Sequence, residues 1–217
     1  MLDEYNFEDI YIRHAIDENP MPNNDNMHLH SRCEIFFFIS GHVDYLVEGS
    51  RYPLHENNLM IMRPSESHTA RILDSTRYER FAINFPTSYL SQNDTKNLLM
   101  EPFMKRPLGK GNLFTQKDLD VEEIRKLFFE MMKKAPAEER KMILHTHLGI
   151  ILYKIYEAFS LTGLEERTPS SFSERVIAYI NAHLYEELTV SALSEHFFLS
   201  NSQFTRLFRR DVGSSPW

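Results

Sequence analysis

Cysteine is almost missing from this 217-residue chain, where Cys33 stands alone. A single thiol closes no intramolecular disulfide and rules out a four-cysteine zinc site. Also missing is any apolar run near the roughly 18 residues that a membrane-spanning helix needs, so no membrane partner is expected. The opening residues Met1-Leu2-Asp3-Glu4-Tyr5 are acidic and lack the basic-then-apolar order of a secretory signal. A cytoplasmic protein is the expectation. Positive charge is short as well: 24 Lys and Arg face 31 Asp and Glu, a net charge of −7. Such a chain does not coat nucleic acid wholesale. Internal repeats and low-complexity tracts are absent too.

What is present is ordinary globular composition, 42% hydrophobic and 25% charged, at a length that suits two modest domains. The missing positive charge is concentrated locally. Between Asn201 and Val212 stand Arg206, Arg209 and Arg210 against one acid, Asp211. An acidic body with one basic helix fits a protein that touches DNA through a small surface.

Residues 28 to 85 read as short strands with turn punctuation. Glu34 to Ser40 is apolar on both faces, as in a strand covered on two sides. Gly41 ends it. Val43 to Val47 and Tyr52 to Leu54 flank the hairpin connection Glu48-Gly49-Ser50-Arg51. Leu59 to Arg63, Thr69 to Leu73 and Tyr78 to Phe85 follow. The pattern predicts a small β-barrel or sandwich, in which Met60, Met62 and Cys33 read as core residues. His42, His55, His145 and His147 read as surface or core filler.

Beyond Pro86 the period changes. Val121, Ile124, Phe128 and Met131 form one helical stripe, and a second helix is expected from about 137 to 161. Its stretch Leu148 to Tyr156 is apolar nearly all round, which predicts either a partner subunit or packing on the barrel. Residues 162 to 171, with a glycine and a proline among polar side chains, read as a linker.

The C-terminal segment opens with a capping box, Ser171-Phe172-Ser173-Glu174, and continues as a stripe of Phe172, Val176, Ile177, Ile180 and Leu184. Thr189 can cap a short helix from Val190 to about Phe197, with Leu193 inward. Phe198-Leu199-Ser200 turns, and Ser200 with Gln203 opens a last helix that Gly213 closes. On that helix Phe204, Leu207 and Phe208 share one face, while Ser202, Thr205, Arg206 and Arg209 share the other. A helix entering the major groove needs that division, with Arg206 able to fork onto guanine and Arg209 or Arg210 able to reach phosphate. A solvated amphipathic helix of an ordinary bundle fits the same spacing.

The residues Tyr179-Ile180-Asn181, Leu188-Thr189-Val190-Ser191-Ala192-Leu193-Ser194, Phe198-Leu199-Ser200, Phe204, Arg206-Leu207-Phe208 and Asp211-Val212-Gly213 resemble the first helix-turn-helix of the AraC/XylS family of bacterial regulators. The resemblance runs over some forty residues and implies base contacts from Ser202, Thr205 and Arg206. Ser194 stands where that family usually has alanine. The family's DNA-binding unit holds two helix-turn-helices. Here the helix-start signal Ser215-Pro216 is followed only by Trp217, which predicts truncation after the first and weak binding to promoter DNA.

His28-x-His30-x-x-x-Glu34, with Gly41 seven residues on, resembles the first cupin motif, and His68 falls where the second cupin motif puts its histidine. On one straight strand His28 and Glu34 would lie about 20 Å apart, so Ser31-Arg32-Cys33 must turn or bulge to bring them together. Three histidines and a carboxylate suit Zn, Fe, Ni or Mn. The same four residues also serve as a pocket wall without metal, and no cofactor is required. Tyr52-x-Leu54-x-x-Asn57-Asn58-Leu59 is similar to the regulator cupins, with Asn57-Asn58 where Gly-Asp is common; asparagine tolerates the left-handed backbone.

The resulting expectation is a β + α protein. Residues 1–161 form a cupin-like β-barrel that binds an effector, with a two-helix dimerisation segment; residues 162–171 link it to residues 172–217, an all-α partial DNA-binding domain. The expected function is a ligand-responsive transcription regulator, not an enzyme, acting as a homodimer with promoter DNA and a small-molecule effector as partners. The resemblance implies a sugar as effector. A metal-dependent cupin isomerase or dioxygenase is the alternative.

Overall fold

The computed structural model describes residues 2–7, 9–22, 27–89, 94, 96–161, 172–183 and 188–212. The chain divides into two compact units, Met1–Glu165 and Glu166–Trp217. The expected linker 162–171, with the cap Ser171, lies outside the described residues, as do Leu184, Gly213, Ser215-Pro216 and the side chain of Glu174.

The first unit starts with two strands that the sequence reading passed over, β1 (Leu2–Phe7) and β2 (Ile10–Asp17), followed by β3 (Cys33–Ser40) and β4 (Val43–Val47). Then come β5 (Ser50–Pro53), β6 (Leu59–Met62), β7 (His68–Ile72) and β8 (Tyr78–Phe85). A helical turn at Leu98–Met100 leads into α1 (Glu101–Met104), the two-residue strand β9 (Leu113–Phe114), α2 (Val121–Met131) and α3 (Ala137–Leu161). Six strands pair antiparallel in the order β1-β2-β8-β3-β6-β9, and three in the order β5-β4-β7.

Strand period explains how the larger sheet serves two cores. Side chains alternate across a strand, so Ile35, Phe37 and Ile39 of β3 face one way, with Ile10 and Ile12 of β2 and Phe81, Ile83 and Phe85 of β8. These pack under α2 and α3 through Ile124, Phe128, Leu148, Ile151 and Ile155, and the rings of Phe37 and Phe128 stack at 4.8 Å. Phe36 and Phe38 point the other way and meet Val43, Tyr45 and Val47 of the smaller sheet, with Met60 and Met62 between them. That double coverage is why Glu34 to Ser40 reads as apolar on both faces. The hairpin Glu48-Gly49 has positive φ at both residues, 47° and 75°, the mirror-image turn that matches strand twist.

Helices α2 and α3 begin where the sequence predicts, whereas α1 was not expected. Asp120 caps α2 by accepting from the backbone N–H of Glu122 and Glu123 at 3.2 and 3.1 Å. One side of α3 is buried in the core just described, while Met142, Ile150 and Tyr153 are exposed.

The second unit holds α4 (Phe172–Ala182), α5 (Val190–His196) and α6 (Asn201–Val212). Val176, Leu193, Phe204 and Phe208 form its core, with Phe172 edge-on to both Phe197 and Phe204. Thr189 accepts from Ala192 N at 3.1 Å. At the start of α6, Ser200 Oγ accepts from Gln203 N at 3.3 Å, and Gln203 Oε1 accepts from Ser200 N at 3.1 Å, the reciprocal pair of a capping box.

Candidate functional site

Three backbone features gather the cluster expected from His28, His30, Glu34 and His68. His28 and His68 bond reciprocally through their backbones, His28 N to His68 O at 3.1 Å and His68 N to His28 O at 3.2 Å. Ser65 N donates to His30 O at 3.0 Å, so residues 28–30 run alongside the segment that enters β7. Ser31 and Arg32 then bend, and Glu34 follows at the start of β3. The turn demanded by spacing is there, and one ligand atom from each of the four residues lies within 4.8 Å of the others. Burial is graded across them: His28 is exposed, His30 half-buried, Glu34 and His68 buried.

Hydrogen bonds fix the imidazole tautomers. A carbonyl can only accept, so His30 Nδ1–H donates to Arg32 O at 2.9 Å and His68 Nδ1–H donates to Glu66 O at 2.6 Å. In the neutral rings each Nε2 is then a bare acceptor. Yet Nε2 of His30 faces Glu34 Oε2 at 2.9 Å, and Nε2 of His68 faces the same oxygen at 3.7 Å. Acceptor against carboxylate is repulsive unless a proton or a cation lies between them. Burial alone would push the Glu34 carboxyl up, but the His30 hydrogen bond and the nearby His68 imidazole hold it well below the usual range. Burial likewise opposes charge on His68, and Glu34 outweighs it and raises that imidazole. His68 Nε2 is buried without a hydrogen-bond partner among the described residues. Donor chemistry and backbone-anchored Nδ1 groups therefore fit a divalent transition metal, which His28, His30, Glu34 and His68 would hold; a proton satisfies the same geometry.

The cluster opens into a cavity of about 420 Å³ between the two sheets, a size that suits a small molecule. His28, His30 and Glu34 line it, whereas His68 sits behind them. Tyr11, Arg13, Arg80 and Asn84 complete the polar wall, and Phe36, Tyr45 and Tyr78 are its aromatic surfaces. Asn84 Nδ2 donates to Glu34 Oε2 at 2.8 Å and Tyr45 donates to Glu34 Oε1 at 3.3 Å. Sequence reasoning missed these residues. Tyr11 and Arg13 alternate with buried Ile10 and Ile12, a signal of a half-buried strand that also tells which side chains face the cavity.

Behind the cluster, Glu66 and Arg106 are fully buried. Glu66 also accepts from Gly109 N at 2.9 Å. Gly109 has φ 63°, and a Cβ there would stand 2.8 Å from Val47 O, so the segment after α1 closes onto the β4–β5 hairpin only with glycine at that point. Of the remaining histidines, His42 is an exposed partner of Asp74, His145 meets Tyr89 and His147 meets Glu130. Cys33 is buried, and burial pushes its thiol up to about 12.

In the second unit Ser202, Arg206, Arg209 and Arg210 are exposed on α6, Thr205 is half-buried, and Phe204 and Phe208 lie in the core. Ser194, buried on α5, lies within hydrogen-bond reach of Asn201 on α6, whose Nδ2 donates to Ser191 Oγ at 3.1 Å. These polar contacts join the two helices where a small side chain is needed.

Residues 14–148 match the profile of the AraC-like ligand binding domain. Over 200 residues the chain is 25% identical to the uncharacterized HTH-type transcriptional regulator YfiF of Bacillus subtilis (strain 168), which covers 88% of this chain and 62% of that protein. With the uncharacterized HTH-type transcriptional regulator YobQ of the same strain it shares 22% over 189 residues, 87% of this chain and 65% of that one. The chain thus spans less than two thirds of the length of these relatives. A solved Cupin 2 conserved barrel domain protein from Salinispora arenicola shares 13% identity at a TM-score of 0.35, over 44% of this chain and 82% of that one, a likeness too slight to argue from.

Proposed function

This chain belongs to the family of AraC-like ligand-binding domains, and on that premise we propose a ligand-responsive transcription regulator. The observation that carries the proposal is the cavity of about 420 Å³, lined by aromatic and polar side chains from both sheets. Its effector is a small molecule that touches His28, His30, Glu34 and Asn84. In the second unit α6 is the groove-reading helix, with Ser202, Thr205 and Arg206 toward bases and Arg209 and Arg210 toward phosphate. Promoter DNA is therefore the macromolecular partner, in the cytoplasm. A homodimer joined along the exposed side of α3, through Met142, Ile150 and Tyr153, would present two such helices to two half-sites. The cupin-enzyme reading is not favoured, because the curated relatives are regulators.

A screen of metabolites by thermal shift tests the sensor. A compound at a hundred times its Kd stabilises the fold by about 2.7 kcal/mol, so a true effector raises Tm visibly. Ala82→Phe, which fills the cavity, should abolish that rise. If no compound protects the protein, or protection survives Ala82→Phe, the cavity is not the effector site.

A further inference from the structure

The cavity carries two guanidinium groups, and they are not equivalent. Arg80 is already paired with Asp17 and lies over the Tyr78 ring at 4.2 Å. Arg13 is different. Its cross-strand neighbour is Glu4, but the Glu4 carboxylate accepts from the Tyr11 hydroxyl at 2.7 Å. Among the described residues no carboxylate lies within ion-pairing distance of Arg13, yet it lines the cavity. Both guanidinium groups act on the Tyr78 phenol, whose rise on burial they oppose, so the two charges bear on the same region. Glu34, the carboxylate among the residues lining the cavity, is held by His30 and Asn84 and forms no ion pair with either arginine among the described residues.

The opposite end of the cavity asks for a different group. Glu34 Oε2 is occupied by Asn84 and faces His30, whereas Oε1 receives a long bond of 3.3 Å from Tyr45. That oxygen has room to accept from a ligand. A ligand hydroxyl can donate to it. Arg13 pairs across β8 through Ala82 to Phe36, while Glu34 pairs with Asn84 two residues further along. Strand spacing places the Cα atoms of Arg13 and Glu34 about 12 Å apart.

We infer that the cavity selects a small hydroxylated carboxylic acid, its carboxylate on Arg13 and a hydroxyl on Glu34. This deepens the sensor reading and rests on it. A bidentate arginine–carboxylate pair is short and directional, and inside a cavity it is screened less than at a surface. A neutral polyol leaves Arg13 without its counter-charge and should bind more weakly. The Phe36 and Tyr78 rings supply an apolar floor for a carbon chain of roughly four to six atoms, the length that the strand spacing allows.

The experiment is calorimetric titration of the wild-type chain with acids and their neutral counterparts: gluconate, glucuronate and galacturonate against glucose and galactose, at fixed ionic strength. At least one acid should bind tenfold or more tightly than its neutral counterpart. Arg13→Gln should erase that preference, while Asn84→Ala weakens acid and neutral compound alike. The Tm of Arg13→Gln without ligand reports that the variant is folded, and Arg13→Lys, which keeps the charge, should retain part of the preference. Neutral sugars binding as well as the acids would overturn this inference and leave the effector reading standing. So would an acid preference that survives Arg13→Gln. Binding by none of the acids also overturns it; the effector reading then falls only if the wider screen finds no ligand blocked by Ala82→Phe.

Discussion

Arg106 closes a bidentate ion pair on Glu66, Nη1 to Oε1 at 2.7 Å and Nη2 to Oε2 at 2.5 Å, with neither side chain exposed. Glu66 stands two residues ahead of His68 and its carbonyl orients the His68 ring. The pair thus ties the segment after α1 to the loop that positions the cluster.

Breaking that pair from one side leaves a buried charge uncompensated. Arg106→Met should cost about 3–5 kcal/mol of stability, while Arg106→Met combined with Glu66→Leu should recover most of the loss. Urea unfolding of the wild type, the single variant and the double variant measures this. A double variant no more stable than Arg106→Met would show that removing the uncompensated Glu66 charge recovers nothing.

Glu48 makes stability depend on pH. Burial, with the nearby Glu66 charge adding to it, raises its carboxyl from 4.5 to about 7, against the pull of the Ser67 N–H. Below about 4.5 the folded and unfolded chains both carry the proton. Between 4.5 and about 7 the unfolded chain ionises first, so stability falls as pH rises and the loss is complete above the folded value. Glu48→Gln removes this titration and can still accept from Ser67 N. It should match the wild type near pH 4 and exceed it by about 1–2 kcal/mol near pH 8, a figure discounted because the side chain is partly solvated. Thermal unfolding across that range checks it, and a constant difference at all pH values would contradict it.

Phe198 sits in the turn between α5 and α6 with φ 56° and 95% of its surface exposed. A left-handed backbone costs a bulky residue about 1 kcal/mol or more, and this ring recovers little by burial. Phe198→Gly should therefore raise stability by about 0.5–1 kcal/mol. A loss of stability on chemical denaturation would show that Phe198 makes contacts that offset its strain.

The parts of the site that were legible in sequence are those fixed by local spacing. His28, His30 and Glu34 lie within seven residues and need only one bend at Ser31-Arg32. The caps Thr189 and Ser200 with Gln203 act over three residues, so α5 and α6 announced their own starts. Arg13 and Asn84 reach the cavity because β2 and β8 pair across some seventy residues of chain, which no local period encodes. Tyr45 arrives from the other sheet altogether. Glu66 lies in the polar stretch Pro64-Ser65-Glu66-Ser67, which carries no local sign of a structural role; only the approach of Arg106 from forty residues away makes it structural. The strand β1 was missed for a related reason: its exposed, charged edge, Asp3 and Glu4, carries little hydrophobic pattern.

A ligand in the first unit should change how the second unit binds DNA, a coupling free energy between two sites. Its most direct measurement is selection of duplexes from a random pool at low salt, with and without a compound that raises Tm in the screen. Wild-type protein should enrich one sequence motif, Arg206→Ala should lose it with Tm unchanged, and the compound should alter the yield of that motif by about fivefold or more. No enriched motif, or the same motif from Arg206→Ala, would show that α6 does not read bases, and equal yields with and without the compound would show that the two sites are not coupled.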